Sequence, residues 1–214
     1  MNWKKKFSKG NLIYLILDED TANRNNLNLL EITQRLARAG QVDIFQLRVL
    51  HSSDRNTVKL AKSLSKIVHK YKKMFIINNR ADIAYLVGAD GIHLGEEDIP
   101  IHLARKILPN KLIGKTVHSL EELENSQKEN IDYLSLGPVF RSQTKPNLKP
   151  LGLKKLKNMI KYIRFPFFVI GGINVNNLDK LKKLGRINIA LCEGILSSPD
   201  PVQMAREIKE TLKS

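Results

Sequence analysis

The chain has 214 residues, 42% of them hydrophobic and 27% charged, which suits one domain with a substantial core and excludes disorder as the main state. Its longest apolar runs, 12–17 and 165–170, fall far short of the ~20 residues of a membrane span. The formal net charge is +15, from 36 Lys and Arg against 21 Asp and Glu, so nucleic acid and small anions both enter as candidate partners.

A basic segment, 1–10, precedes the first apolar run and is expected as an arm, with Trp3 and Phe7 packing across the bottom of the domain. It lacks the length and the small-residue cleavage site of a secretory signal. Residues 11–214 read as a single domain. Short apolar runs at 12–17, 43–48, 74–79, 90–95, 111–116, 132–137, 166–171 and 187–192 read as strands. Helix-period stretches at 27–39, 57–71, 80–87, 101–107, 120–129, 152–163, 175–184 and 201–212 follow them in turn. Asn174 before the seventh stretch and Ser198-Pro199-Asp200 before the eighth are capping signals. The strands are nearly continuous in apolar residues, as parallel strands buried on both faces must be. Eight such units predict a compact (β/α)8 TIM barrel, an α/β fold. An open doubly wound sheet fits less well, because no Gly-x-Gly-x-x-Gly turn follows the first strand.

The placement of the charges separates the partner classes. Lys154, Lys155, Lys157 and Lys161, and then Lys180, Lys182 and Lys183, fall on the polar faces of predicted helices. They are not interleaved with stacking aromatics, which make up only 6% of the chain. Small anionic substrates are therefore expected rather than nucleic acid or a membrane, in a cytoplasmic protein that could form a homo-oligomer. The single cysteine, Cys192, fits that reducing compartment.

A TIM barrel builds its active site at the C-terminal ends of its strands. The residues leaving the predicted strands are Asp18 and Asp20, Gln46 and Arg48, Asn78 and Asn79, Gly95 to Asp98, Thr116 and His118, Gly137 to Phe140, Gly171-Gly172, and Cys192 to Gly194. Arg48 offers a bidentate fork and Lys145 a point charge, and Gly171-Gly172 follows strand seven, where this fold binds phosphate. Each has a plain structural alternative. Gly171-Gly172 could be only a tight turn, Arg48 a salt bridge to Glu96 or Asp98, and Asn78-Asn79-Arg80 a helix cap. His118 could be a structural histidine. His51, His69, His93 and His102 are read as structural or surface residues, with no partner at metal-ligand spacing. The run 141–150 is long and unpatterned, as functional loops often are.

An ordered set of motifs runs through the chain: Gln46-Leu47-Arg48; Ile76-Ile77-Asn78-Asn79-Arg80-Ala81-Asp82; Gly91-Ile92-His93-Leu94-Gly95-Glu96-Glu97-Asp98; Gly137-Pro138-Val139-Phe140 with Thr144-Lys145-Pro146; and Ile170-Gly171-Gly172-Ile173. In order and spacing this set resembles the thiamine phosphate synthases, a family that also holds the thiazole tautomerases. The resemblance implies thiamine biosynthesis: hydroxymethylpyrimidine diphosphate joined to thiazole phosphate with release of pyrophosphate, assisted by Mg2+. It implies that Gln46, Arg48 and Asn78 contact the pyrimidine diphosphate, with Thr116 against the diphosphate and Lys145 on the departing pyrophosphate. Asp98, beside Asn79, would be a metal ligand. Ser142, Thr144 and Gly172 would line the thiazole phosphate site.

Three positions depart from the family pattern. Leu50 stands where a lysine is usual, Asn79 where a metal-binding aspartate is usual, and Glu193 where a small hydroxyl residue is usual. Magnesium prefers carboxylates to amides, and a carboxylate beside a phosphate is unfavourable unless it is paired or turned away. Two further readings follow: a tautomerase using His118 as its proton carrier, and a non-catalytic barrel that keeps the fold alone.

Overall fold

The computed structural model describes residues 6–8, 10–142, 144 and 146–213. Strands β1 (Ile13–Asp18), β2 (Ile44–Arg48), β3 (Met74–Asn78), β4 (Gly91–Leu94), β5 (Leu112–Val117), β6 (Tyr133–Leu136), β7 (Phe167–Ile170) and β8 (Asn188–Leu191) pair in parallel in chain order. β8 returns to β1, with Ile13 opposite Ile189 and Leu15 opposite Leu191, so the sheet has no open edge. The expected (β/α)8 barrel is the fold.

The helices are α1 (Glu19–Arg24), α2 (Leu29–Ala39), α3 (Asp54–Lys70), α4 (Ala81–Leu86), α5 (Ile101–Ile107), α6 (Leu120–Ser126), α7 (Gly152–Ile160), α8 (Val175–Lys182), α9 (Glu193–Leu196) and α10 (Pro201–Lys213). Eight of them coincide with the helix-period stretches; α1 and α9 are additional, too short to show a 3.6-residue repeat. α3 begins three residues earlier than its apolar period suggests, because the Ser53 side chain accepts from the Asn56 amide and starts the helix there. Asn174 closes a capping box with Asn177, and Asp200 accepts from Val202 and Gln203, as their sequence signals indicate.

Alternation along the strands makes two cores. Outward residues such as Leu15, Phe45, Ile77, Ile113, Leu134 and Val169 meet the apolar faces of the helices. Inward residues Tyr14, Ile44, Met74, Ile76, Tyr133, Phe168 and Ala190 fill the barrel. Phe7, from the basic segment, joins this inner set: its ring lies edge-on 5.4 Å from Phe168 and 5.7 Å from Tyr133, and its carbonyl accepts from Asn188. It closes the N-terminal end of the barrel with apolar surface. Trp3 lies outside the described residues. Gly114 on β5 leaves room for the inner aromatics, since a Cβ there would stand 2.1 Å from the Tyr133 ring.

One carboxylate ties this lower end together. Asp43, just before β2, accepts from the Ile13 amide and from Lys209 of α10, and lies 3.0 Å from Lys6. Burial pushes its carboxyl up, but Lys209 and Lys6 outweigh burial and hold it below the usual carboxylate range. A group whose pKa is depressed by folding stabilises the fold above its unfolded value, about 3.9, and loses that contribution as pH falls through the folded value. Asp43→Asn should therefore cost about 2 kcal/mol at pH 7. Urea melts between pH 7 and pH 3 should show the gap between parent and variant narrowing only at the acid end.

Candidate active site

The inner residues turn polar toward the C-terminal mouth. There a cavity of about 360 Å³ is lined by strand ends and their loops, including Gln46, Arg48, Asn78, Thr116, His118, Ser142, Thr144, Gly172 and Glu193. That volume suits a small organic ligand. Every one of these nine residues was singled out in the sequence, and the structure brings them into one depression. Asn79 and Asp98 belong to the adjacent β3 and β4 loops but do not line it. Lys145 lies outside the described residues.

The floor of the cavity is a hydrogen-bonded chain of side chains. Gln46 Nε2 donates to the Tyr14 hydroxyl at 2.6 Å, and the Tyr14 and Tyr133 hydroxyls are 3.1 Å apart. Tyr133 Oη is 3.1 Å from His93 Nδ1, and His93 Nε2 is 2.7 Å from Thr116 Oγ1. With Gln46 Nε2 donating to Tyr14, a single direction of donation satisfies the chain: Tyr14 turns its proton to Tyr133 and Tyr133 turns its own to His93 Nδ1. His93 then donates from Nε2 to Thr116. The mouth is left with an acceptor, Gln46 Oε1, and a donor, the Thr116 hydroxyl. Burial pushes the hydroxyl pKa of both tyrosines well above the ordinary phenol value, so they remain neutral donors and acceptors.

Two sequence readings need correction here. His93 is not a mere structural or surface residue but part of the cavity wall. Strand alternation carries the signal, since His93 has the parity of the inward Gly91 and pairs with Asn78 across the sheet. Arg48 does not bridge to Glu96 or Asp98. It donates to the buried Asp18, which lies directly opposite it in the β1–β2 register. Asp18 also caps α1, its Oδ1 accepting from the Thr21 amide at 2.9 Å and the Thr21 hydroxyl at 2.7 Å. Glu96 is instead engaged by Lys115 at 3.1 Å, with Glu129 on the same ammonium at 2.9 Å.

His118 lines the cavity with Nδ1 bonded to the Gly137 carbonyl, while its backbone amide donates to Glu122. Glu193 pairs with Arg24 of α1 at 2.8 Å. Cys192 also faces the cavity, but burial pushes its thiol up to about 12, which keeps it protonated and a poor nucleophile. Asn79 adopts φ +64°, with its amide on the His93 carbonyl. This left-handed conformation is one that asparagine tolerates well.

Magnesium can be tested against these donors. Asp98 supplies one carboxylate, whose Oδ2 already accepts from the Gly95 amide at 2.6 Å. Among the described residues no group of three or more His, Cys, Asp or Glu could hold a metal. A protein-only cage does not fit. In donor type alone, one carboxylate and one amide on neighbouring loops suit the other mode of this ion, in which one or two carboxylates share it with substrate phosphates and water.

Geometry and chemistry together define a TIM barrel whose mouth offers a ring-binding floor and cations and glycines suited to phosphate. The chain matches the family profile described as thiamine monophosphate synthase over residues 13–195, and it belongs to that family. It is 40% identical over 189 residues to a thiamine-phosphate synthase of Fusobacterium nucleatum, covering 88% of this chain and 90% of that one. It is 38% identical over 182 residues to one from Prochlorococcus marinus, covering 85% of this chain and 53% of the relative. The chain thus spans about half the length of that relative. A thiamine phosphate pyrophosphorylase structure from Pyrococcus furiosus superposes with a TM-score of 0.86 at 30% identity, over 99% of this chain and 98% of the other.

Gly172 shows how the mouth is held. At φ +63°, a Cβ on it would stand 2.3 Å from the Arg141 carbonyl oxygen and 2.9 Å from Phe140 Cβ. Gly185 has a similar φ of +97° with nothing within 4 Å. Gly185→Ala should cost about 1 kcal/mol of backbone strain. Gly172→Ala should cost about 3 kcal/mol and displace the 141–144 loop. Urea denaturation of the two variants checks the difference.

Proposed function

We propose that the chain acts as a thiamine phosphate synthase, joining hydroxymethylpyrimidine diphosphate to thiazole phosphate and releasing pyrophosphate. The observation that carries this reading is the proton arrangement of the floor. An acceptor at Gln46 and a donor at Thr116 suit the edge of an aminopyrimidine, whose amino group donates and whose ring nitrogen accepts. Asn78 adds an amide at the same rim.

As pyrophosphate leaves, its oxygens gain negative charge and the pyrimidine methylene becomes electron-poor. Arg48 meets that charge already oriented, because Asp18 fixes its guanidinium before the ligand arrives. Lys145 is assigned to the same leaving group, while the Thr116 hydroxyl is kept for the ring. Magnesium carried by the diphosphate would be held by Asp98 and the Asn79 amide oxygen, and it supplies charge neutralisation on the phosphate oxygens. Ser142, Thr144 and Gly172 hold the thiazole phosphate, so its ring nitrogen reaches the electron-poor carbon. The relatives carry the synthase name, which leaves the tautomerase reading of His118 without support. Its bond to Gly137 is assigned to holding the β5 and β6 ends together.

The direct test is an assay of the purified protein with both precursors, with and without Mg2+. Thiamine phosphate should form only when both are present, and failure with both would overturn the reading. Arg48→Met should lower kcat/KM by about 10²-fold or more. Asn79→Asp combined with Leu50→Lys should raise the rate at limiting Mg2+, measured against the parent in the same assay.

A further inference from the structure

We propose that Arg24 is a phosphate ligand held in reserve: the carboxylate of Glu193 pairs with it and yields it to the phosphate of the incoming substrate. Glu193 lines the cavity beside Gly171, Gly172 and Gly194, on the loops after β7 and β8. Those loops are where this fold commonly binds phosphate. A carboxylate there is an obstacle to any phosphate unless it leaves. Its partner tells where it goes from: a single Arg24 Nη2 bond at 2.8 Å, between side chains 55% and 21% exposed. An exposed pair of this kind is weak, so an anion that also gains from burying a ring can displace it.

Arg24 does not depend on Glu193 for its orientation. The same Nη2 donates to Thr21 Oγ1 at 3.1 Å, and the Thr21 hydroxyl is fixed by Asp18 at 2.7 Å. When Glu193 swings out, the guanidinium stays tethered to α1 at the rim of the site. The N–H groups of an arginine donate to a carboxylate or a phosphate interchangeably, and a phosphate dianion is the stronger partner. Glu193 therefore acts as an internal competitor. It disfavours inorganic phosphate, which brings nothing but charge, relative to a ligand whose ring also fills the cavity. The step is an exchange of ion pairs with no bond made or broken.

The identity of the organic ligand rests on the synthase reading; the exchange itself does not. Calorimetric titration of the parent, Glu193→Gln, Arg24→Gln and the double variant with inorganic phosphate, and separately with thiazole phosphate, tests it. Arg24 is exposed and Glu193 half-buried, and circular dichroism verifies the fold of each variant. Glu193→Gln should bind inorganic phosphate about tenfold tighter than the parent, with a smaller gain for thiazole phosphate. Adding Arg24→Gln to that variant should reverse the gain by about tenfold, and Arg24→Lys should restore part of it. A double variant that binds as tightly as Glu193→Gln would show that Arg24 never touches the anion and would overturn the proposal, as would an unchanged affinity in Glu193→Gln. Phosphate results as expected, with no binding of thiazole phosphate by any form, would uphold the exchange and remove the synthase reading instead.

Discussion

The inside of a closed barrel must be filled, and any polar atom placed there must find a partner within it. This chain meets the first demand with aromatics: Phe7, Phe168, Tyr14 and Tyr133 stack edge to face across the lower interior. Two of the four carry hydroxyls, which creates the second demand at once. Tyr14 and Tyr133 bond each other and then reach upward to Gln46 and His93, and His93 reaches Thr116. The ligand-facing floor is thus the upper end of the packing solution. A change that removes one hydroxyl alters both the core and the donor–acceptor polarity of the mouth.

The same economy governs charge. A net charge of +15 would suggest a mouth crowded with free cations, yet several of the described cations near it are already partnered. Arg48 is held by Asp18, Arg24 by Glu193, Lys115 by Glu96 and Glu129, and Arg80 by Asp54 and Asp82. Pairing fixes long side chains before a ligand arrives, so less conformational freedom is lost on binding. The surplus positive charge includes the lysines on the polar outer faces of α7 and α8, where it can steer anions from a distance. Asp18 is central to this arrangement, since one buried carboxylate orients Arg48 directly and Arg24 through Thr21.

Much of this was legible in the sequence because parallel strands buried on both faces leave unbroken apolar runs such as Met74 to Ile77. Strand ends then followed from the runs, and seven of the nine cavity residues from the strand ends; Ser142 and Thr144 came from the unpatterned loop and the family resemblance. What escaped has physical causes. α1 and α9, six and four residues long, are too short to carry a period; α1 is started by the Asp18 cap, and α9 has no side-chain cap. Arg48 was matched to acids on the wrong side of the mouth, although parallel neighbours in register place Asp18 opposite it. His93 and Tyr14 were overlooked because an inward residue on a strand is called core by default, and a polar tip at the upper interior is the exception. The Arg24–Glu193 pair joins residues 169 apart, so no local pattern could announce it.

Glu193, Leu50 and Asn79 look at first like three losses, but charge arithmetic separates them. Where the family resemblance leads to the expectation of a lysine and an aspartate, this chain carries Leu50 and Asn79. One positive and one negative group are absent together, so the pair sums to zero charge either way. What changes is rigidity and metal affinity: an amide oxygen binds magnesium more weakly than a carboxylate, and Leu50 stands 48% exposed with no charge to hold. Asn79 keeps the left-handed turn that this corner requires, so the backbone leading from β3 is preserved while the ligand set is reduced. Glu193 is different, since it adds an anion, and the structure answers it with a cation from α1. The charge that Glu193 adds is thus paired inside the fold, whereas Leu50 and Asn79 change the expected set by one cation and one anion together.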